Sequence, residues 1–303
     1  MTHNSADNIV SCLEALTHED CDVVVVDNAS QDDTVAQVQA VAEHCALQLL
    51  RISRNIGFGA GVNQGVRATS GRILLLLNPD VVGEPGAVTT MLDCIDSTGA
   101  AAVGGALLQP NGEPQRGFVF RKLPTLSALL CETLLINNLW PRNAVNRRYR
   151  CLDADYSLQQ EVEQPAGACL AITREAFDAI GGLDAAFFPV WFEDVDLCKR
   201  LADSCRRLIY CPAARFRHTG AHSVGKLSFT EKQLYWYGNM LRYARKHFPL
   251  WKVLALRLAI AKGMTLRWLA ALFKKGPGGV DAREARAAYR RVIVEEALSR
   301  SSR

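Results

Sequence analysis

Four short apolar runs, DVVVVD (22–27), LQLLRI (47–52), ILLLL (73–77) and AAVGGALL (101–108), recur through the first third of this 303-residue chain. Their length and branched side chains suit buried strands rather than helices. Around them SADNIVSCLEAL, DDTVAQVQAVAEH, GAGVNQGVRAT and PGAVTTMLDCIDS carry helical patterns; Ser5 and Asp32 stand as N-caps, and Pro85 suits a first helical turn. Strand and helix in alternation predict an α/β fold, with a Rossmann-like, mostly parallel sheet and helices on both faces. In that architecture ligands bind beyond the carboxyl ends of the strands. A helix starting near Ser5 calls for a strand to feed it, and only Met1 to Asn4 come before it, so the first strand is expected to be absent or reduced to a stub.

The polar residues follow that rule. DVVVVD ends in Asp27 with Asn28 and Ser30 behind it, and ILLLL runs into Asn78, Pro79 and Asp80. Turn chemistry alone also favours Asp and Asn at such places. The glycine-rich NIGFGAGVNQG (55–65) lets backbone approach a ligand, but the sixth position is Val62 from Gly57 and Gln64 from Gly59. Neither frame gives G-x-G-x-x-G, which argues against a nicotinamide enzyme. A third feature is FFPVWFEDVDLCKR (187–200), where Glu193, Asp194 and Asp196 follow Phe187, Phe188, Trp191 and Phe192. Aromatic surface strips a carboxylate of water and raises its pKa, which suits a general base. The same acids also suit a helix N-terminus with Leu197 and Leu201 facing the core, and from this segment alone both readings stand.

Ten cysteines without a C-x-x-C pair argue against a zinc site. No basic stretch followed by an apolar run opens the chain, so reduced thiols and a cytoplasmic location are expected. Net charge is +4, yet residues 240–303 hold 15 Lys and Arg against 4 Asp and Glu. Such a tail suits an anionic membrane surface; the absence of a zinc-finger or RNP-like signature argues for no nucleic acid. Residues 249–273, PLWKVLALRLAIAKGMTLRWLAALF, carry Lys252, Arg257, Lys262 and Arg267, which are costly inside a membrane span. At about 100° per residue these cations do not share one face. The segment is expected to lie at an interface with snorkelling stems, or to pack on the rest of the protein.

Taken together, THNSADNIVSCLEAL, VVVVDNASQDDT, NIGFGAGVNQG, LLLLNPDV, PAGACLAITREAFDAIGGLDAAFF, WFEDVDLCKR and HTGAHS, in this order over residues 2–223, resemble the inverting glycosyltransferases of family two. These have the GT-A fold, and the likeness is to their rhamnosyltransferase-like branch. The resemblance implies a catalytic domain over 1–225, with a truncated first strand, and a basic helical C-terminal extension over 226–303. It implies transfer of a sugar, rhamnose from dTDP-rhamnose, from a nucleotide diphosphate donor to a hydroxyl of a polysaccharide or lipid-linked glycan. The rival is a non-catalytic sugar-nucleotide-binding or scaffold protein.

Displacing a nucleoside diphosphate puts positive charge on the sugar and negative charge on the leaving phosphate, so such a site needs a cation and a base. By resemblance Asp194 is the base, with Trp191 and Glu193 toward the acceptor. Asp80, the last acid of a D-x-D motif written here Asn78-Pro79-Asp80, and His218 would hold a divalent cation, Mn²⁺ or Mg²⁺. Thr2, Asn4, Asp27, Asn28, Arg54, Asn55, Gly57, Asn63 and Asn78 match the positions that hold the nucleotide sugar.

Overall fold

The structure, a computed structural model, describes residues 1–220 and 225–299. His222, in the segment HTGAHS, lies outside the described residues. The chain divides into two compact units, Met1–Leu123 with Arg150–Gly225, and Pro124–Tyr149 with Lys226–Arg303. Residues 124–149, expected in the catalytic domain, therefore group with the C-terminal helices.

The first unit begins with α1 (Ile9–Leu16), β1 (Val23–Asn28), α2 (Thr34–Ala42), β2 (Leu47–Ile52), α3 (Phe58–Arg67), β3 (Ile73–Leu77), β4 (Val81–Gly83), α4 (Ala87–Thr98), β5 (Ala102–Leu108) and β6 (Phe120–Arg121). The second unit contributes α5 (Leu126–Thr133), α6 (Ile136–Leu139) and α7 (Ala144–Tyr149). The first then resumes with β7 (Gln160–Glu161), β8 (Gln164–Pro165), β9 (Cys169–Thr173), α8 (Arg174–Ala179), α9 (Glu193–Asp203) and β10 (Leu208–His218). The second closes with α10 (Phe229–His247), α11 (Leu250–Ala270) and α12 (Ala282–Arg291).

The main sheet runs β3-β9-β5-β10-β4. β5 and β10 are parallel, whereas β9 pairs antiparallel with both β3 and β5, and β4 antiparallel with β10. The sheet is thus mixed. Its antiparallel members arise because β4 turns back directly after the Asn78–Asp80 loop, and β9 threads between β3 and β5. All seven residues of β5 are buried, and Leu107, Leu170, Ile172, Leu197, Tyr210 and Phe216 sit at the centre of the core.

Three local expectations are corrected. α1 starts at Ile9, and Ser5 does not cap it: the Ser5 N–H donates to Thr34 Oγ1 at 2.7 Å, and its carbonyl accepts from Asn8 and Ile9. Asp32 stands one residue outside the α2 cap, and its carboxylate accepts from the N–H groups of both Thr34 and Ala6, tying the two helix starts together. Pro85 lies in the turn before Gly86, whose left-handed φ of 78° opens α4 and keeps the proline out of its first turn.

Thr2 bridges Asp27 in parallel: its N–H donates to Val26 O at 2.8 Å, and its carbonyl accepts from Asn28 N at 2.9 Å. Beyond this bridge β1 ladders only with β2, and β3 only with β9, among the described residues. A cavity of about 430 Å³ lies between the two, lined by Val24, Val26, Leu13, Val62, Leu74 and Leu76. The Met1 ammonium is buried, and burial lowers its pKa. Two sheet edges flanking an apolar slot are a template for one extended segment. Joining five or six β-branched residues ahead of Met1 is expected to fill it parallel to β1, raising Tm by about 4 °C or more and slowing amide exchange in Val23–Val26 and Ile73–Leu77. A Gly-Ser extension of equal length should do neither. Equal exchange with both extensions would contradict this reading of the slot.

In the second unit, α10 opens with a reciprocal capping box between Ser228 and Glu231 and ends in Arg245, Lys246 and His247, cations that favour a helix C-terminus. α11 buries Val253, Leu256, Ile260 and Met264. Arg257 and Arg267 turn inward and donate to main-chain carbonyls, Arg257 to Ala297 and Ser299, Arg267 to Thr133 and Gly263.

Candidate active site

At the carboxyl end of β1, one asparagine organises two loops. Asn28 Nδ2 donates to Asn55 Oδ1 at 2.9 Å, and Asn28 Oδ1 accepts from Ile56 N at 2.9 Å. Asn55 Oδ1 also accepts from the Gly57 N–H. Gly57 has φ +85°, and a Cβ there would lie 2.9 Å from the Phe188 ring. Only glycine allows that approach, and the Phe58 N–H completes it by donating to Pro189 O at 2.7 Å. The glycine segment is thereby seated against the aromatic loop that leads into α9.

Asn4 lies in the same layer, where its Oδ1 accepts from Gln31 N and its N–H donates to Ser30 Oγ. Arg54 and Asn55 are exposed at the rim. The Asn63 amide bonds the main chain of Leu183, donating to the carbonyl at 2.7 Å and accepting from the N–H at 3.0 Å. It clamps α3 to the loop before the aromatic segment, with one N–H and one oxygen lone pair of the amide beyond these two bonds. Thr2 Oγ1 and Asp27 Oδ1, by contrast, are buried without a hydrogen-bond partner on paired residues. Buried polar atoms left unsatisfied are costly, so a hydrogen-bonding ligand at this pair would offset that cost.

The second sector lies past β3. The Asn78 N–H donates to Ala168 O, and the Asp80 carbonyl accepts from the Thr219 N–H, so the Asn78–Asp80 turn is fastened to both β9 and the end of β10. Asp80 and His218 are both buried, with His218 Nε2 3.6 Å from Asp80 Oδ2. Gln115 sets the imidazole tautomer. Its Nε2 donates to His218 O at 2.7 Å, which orients the amide so that Oε1 faces His218 Nδ1 at 2.8 Å. This geometry makes Nδ1 the donor to Gln115, so that in the neutral ring the Nε2 lone pair would face Asp80. Two electron-rich atoms side by side in a buried place suit a cation between them, and one imidazole with one carboxylate is a donor set for Mn²⁺ or Mg²⁺. No group of three or more His, Cys, Asp or Glu positions converges among the described residues. Water and a diphosphate would therefore supply the remaining ligands.

The third sector answers how the acids sit behind the aromatics. Trp191 and Phe192 take left-handed φ values of 80° and 71°, uncommon for large side chains, and this turn ends against Glu193 at the start of α9. Asp194 is half-buried. Its Oδ2 accepts from Gly167 N at 3.2 Å and its Oδ1 from Val195 N at 2.8 Å. Burial raises its pKa, and the two N–H groups with the Arg121 charge hold the rise in check. A Cβ on Gly167 would lie 2.7 Å from Asp194 Cβ, so this glycine is what lets the carboxylate reach its donors. Asp196 is fully buried in an ion pair with Arg200 Nε at 2.8 Å, and Arg200 Nη1 donates to Ile180 O. That side chain fastens α9 and is not available for chemistry.

Glu193 is buried, its Oε2 has no hydrogen-bond partner, and its pKa is pushed well above the carboxylate range by burial first and the Asp194 charge second. A carboxyl raised in the native state contributes stability that is complete below its unfolded pKa and is lost as pH rises through the native one. Glu193→Gln copies the neutral form. It is expected to match wild type in Tm near pH 4 and to exceed it increasingly toward pH 8. A constant difference across that range would contradict the assignment.

Three residues escape a reading by residue pattern: Gln115, Gly167 and Arg121. Gly167 had a visible signal in PAGAC, a glycine just ahead of an apolar run. Gln115 and Arg121 had none, because their roles depend on a loop returning to the ends of β5 and β10.

A family profile described as Glycosyl transferase family 2 matches residues 1–181. The N-acetylglucosaminyl-diphospho-decaprenol L-rhamnosyltransferase of Mycobacterium tuberculosis is 28% identical over 274 residues, 86% of each chain. Rhamnosyltransferase WbbL of Escherichia coli is 25% identical over 78% of this chain and 87% of its own. Among solved structures, the mannosyltransferase PcManGT from Pyrobaculum calidifontis, in complex with GDP-Man and Mn²⁺, superposes with a TM-score of 0.55 at 18% identity, covering 99% of this chain and 79% of that one. S. aureus TarS 1-349 with UDP-GlcNAc gives 0.52 at 14% identity, covering 100% and 91%. The fold is that of a GT-A glycosyltransferase with a C-terminal helical region. With three-fifths of its length under one profile and rhamnosyltransferases among its relatives, the chain belongs to glycosyl transferase family 2.

Proposed function

We propose that this glycosyltransferase moves rhamnose from dTDP-rhamnose to a hydroxyl of a polysaccharide or lipid-linked glycan, inverting the anomeric centre, at the cytoplasmic face of a membrane. The observation that carries the reading is Asp194: a half-buried carboxylate with raised pKa, held by the Gly167 and Val195 N–H groups. Fixed donors orient the base while its raised pKa strengthens it. In the proposed reaction an Asp194 oxygen takes the proton of the acceptor hydroxyl. The acceptor oxygen forms a bond to the anomeric carbon from the face opposite the diphosphate, and the sugar–phosphate C–O bond breaks with its electron pair going to the diphosphate. A direct displacement of this kind inverts configuration and needs one base.

Trp191 offers an apolar face to the acceptor sugar, and Glu193, whose burial favours the protonated carboxyl, offers an O–H donor. Thr2 Oγ1 and Asp27 Oδ1 take the polar edge of the nucleotide. Asn28, Asn55 and Asn4 shape the loops that enclose it, and Arg54 and Asn78 stand toward the diphosphate. Asp80 and His218 would hold a divalent cation, which when bound neutralises charge on the leaving diphosphate. The relatives named for rhamnosyl transfer, one of them to a diphospho-decaprenol acceptor, support the donor and acceptor classes.

The test is a thermal-stabilisation screen of nucleotide sugars with and without Mn²⁺. At a hundredfold excess over Kd a native-state ligand adds about 2.7 kcal/mol. dTDP-rhamnose is expected to give the largest rise, with Mn²⁺ enhancing it. A larger rise with another sugar nucleotide would overturn the donor assignment.

A further inference from the structure

The long helix α11 is apolar on two faces. Its buried face carries Leu256, Ile260 and Met264. On the opposite side Trp251, Leu254, Leu258, Leu266 and Leu269, continued by Phe273 in the turn beyond, are each 44–89% exposed. At about 100° per residue the helical members fall within an arc of about 120°. Large apolar side chains grouped on one exposed face, rather than scattered singly, mark an interaction surface.

Of the four cations that interrupt the sequence, three lie off this face and only Lys262 stands within it. Arg257 and Arg267 point inward to main-chain carbonyls. Lys252 stands 5.5 Å from the ring centroids of Phe248 and Trp251, its stem lying along apolar surface. Among the exposed positions of the arc only Lys262 and Thr265 are polar.

Charge identifies the occupant. The unit that carries α11 has 20 Lys and Arg against 6 Asp and Glu, a formal +14 within a chain of +4. Lys274 and Lys275 follow Phe273 directly and are exposed. No helix among the described residues is long and apolar enough to cross a membrane. An apolar face ending in aromatic residues and set in a strongly basic unit is the composition of a helix that lies in the plane of an anionic bilayer.

We infer that the exposed face of α11 is a membrane-docking surface, inserting Trp251, Leu254, Leu258 and Phe273 among the acyl chains of an anionic lipid surface while Lys262, Lys274 and Lys275 meet the headgroups. This deepens the lipid-linked-acceptor reading. Its test runs without donor or acceptor, so a failure here leaves the transfer reading standing.

The full chain is sedimented with vesicles of two parts phosphatidylcholine to one part phosphatidylglycerol, and with phosphatidylcholine alone. Binding to the anionic vesicles is expected, weakening in high salt. The double variant Leu254→Glu with Leu258→Glu is expected to lose at least tenfold in partitioning at unchanged Tm, since both positions are exposed. Lys274→Gln with Lys275→Gln is expected to lose about tenfold on anionic vesicles and little on neutral ones. Absence of binding to anionic vesicles at low salt overturns the inference. So does a protein that self-associates through this face, with the Leu→Glu pair abolishing a dimer while vesicle binding stays the same.

Discussion

Asp194→Asn is expected to lower sugar transfer by about 10²- to 10⁴-fold at saturating acceptor, the worth of a positioned general base, while folding and donor affinity stay near wild type. The side chain keeps its size, and its oxygen still accepts from one of the two N–H groups, Gly167 or Val195. The amide cannot take a proton at neutral pH. In the wild type, transfer should fall as pH drops through the raised pKa of Asp194, and the residual activity of the variant should lose that limb. Asp196→Asn is unsuitable as the silent control, because it breaks the buried pair with Arg200 and should cost about 3–5 kcal/mol of stability. Glu193→Gln is the better companion, since it copies the neutral carboxyl that burial favours and breaks no ion pair. Near-normal turnover of Asp194→Asn, or its failure to fold, would leave Asp194 as a helix-terminus residue only.

The second large effect concerns the cation. Asp80→Ala is expected to weaken donor binding at least tenfold in Mn²⁺ and little in EDTA; equal loss in both would remove the metal role. His218→Ala should be milder, because water can replace one imidazole. Gln115→Leu is the more informative change, since it touches neither metal nor donor. Gln115 fixes the tautomer of His218 through its bond to Nδ1 and holds the His218 main chain as well. Loss of a hydrogen-bond partner behind a metal-bound histidine typically costs about 10- to 100-fold in metal affinity. Mn²⁺ titration followed by electron paramagnetic resonance, in the presence of a nucleoside diphosphate, reads that affinity without transfer. Unchanged Mn²⁺ affinity in Gln115→Leu would reject the positioning role.

Much of the fold is legible because local pattern and tertiary burial agree. LQLLRI and ILLLL become β2 and β3 residue for residue, since runs of that length and branching have one economical place in an α/β unit. The helix starts fared worse: Ser5 and Asp32 are side by side through Thr34 and Ala6, so tertiary partners took the groups a cap would have used. The antiparallel strands β4 and β9 carry no local sign of direction. At the site, the strand-end acids Asp27 and Asp80 and the pair Glu193–Asp194 were visible from their placement. The structural bonds of Asn63 to the Leu183 main chain carry no sign in the sequence, because a polar residue in a glycine-rich segment suits a ligand as well as a distant main chain. Along α11 the spacing of four cations hid an apolar face, because sequence cannot tell an arginine that turns inward from one that faces water.

The central claim is direct displacement at the anomeric carbon, assisted by Asp194. The measurement that tests it most directly is the anomeric configuration of the product formed from dTDP-rhamnose and a glycan acceptor, read by nuclear magnetic resonance against that of the donor. Opposite configuration in donor and product, formed by wild type and lost with Asp194→Asn, is the predicted result. A product that retains the donor's configuration, or one formed equally well without the Asp194 carboxylate, would contradict it.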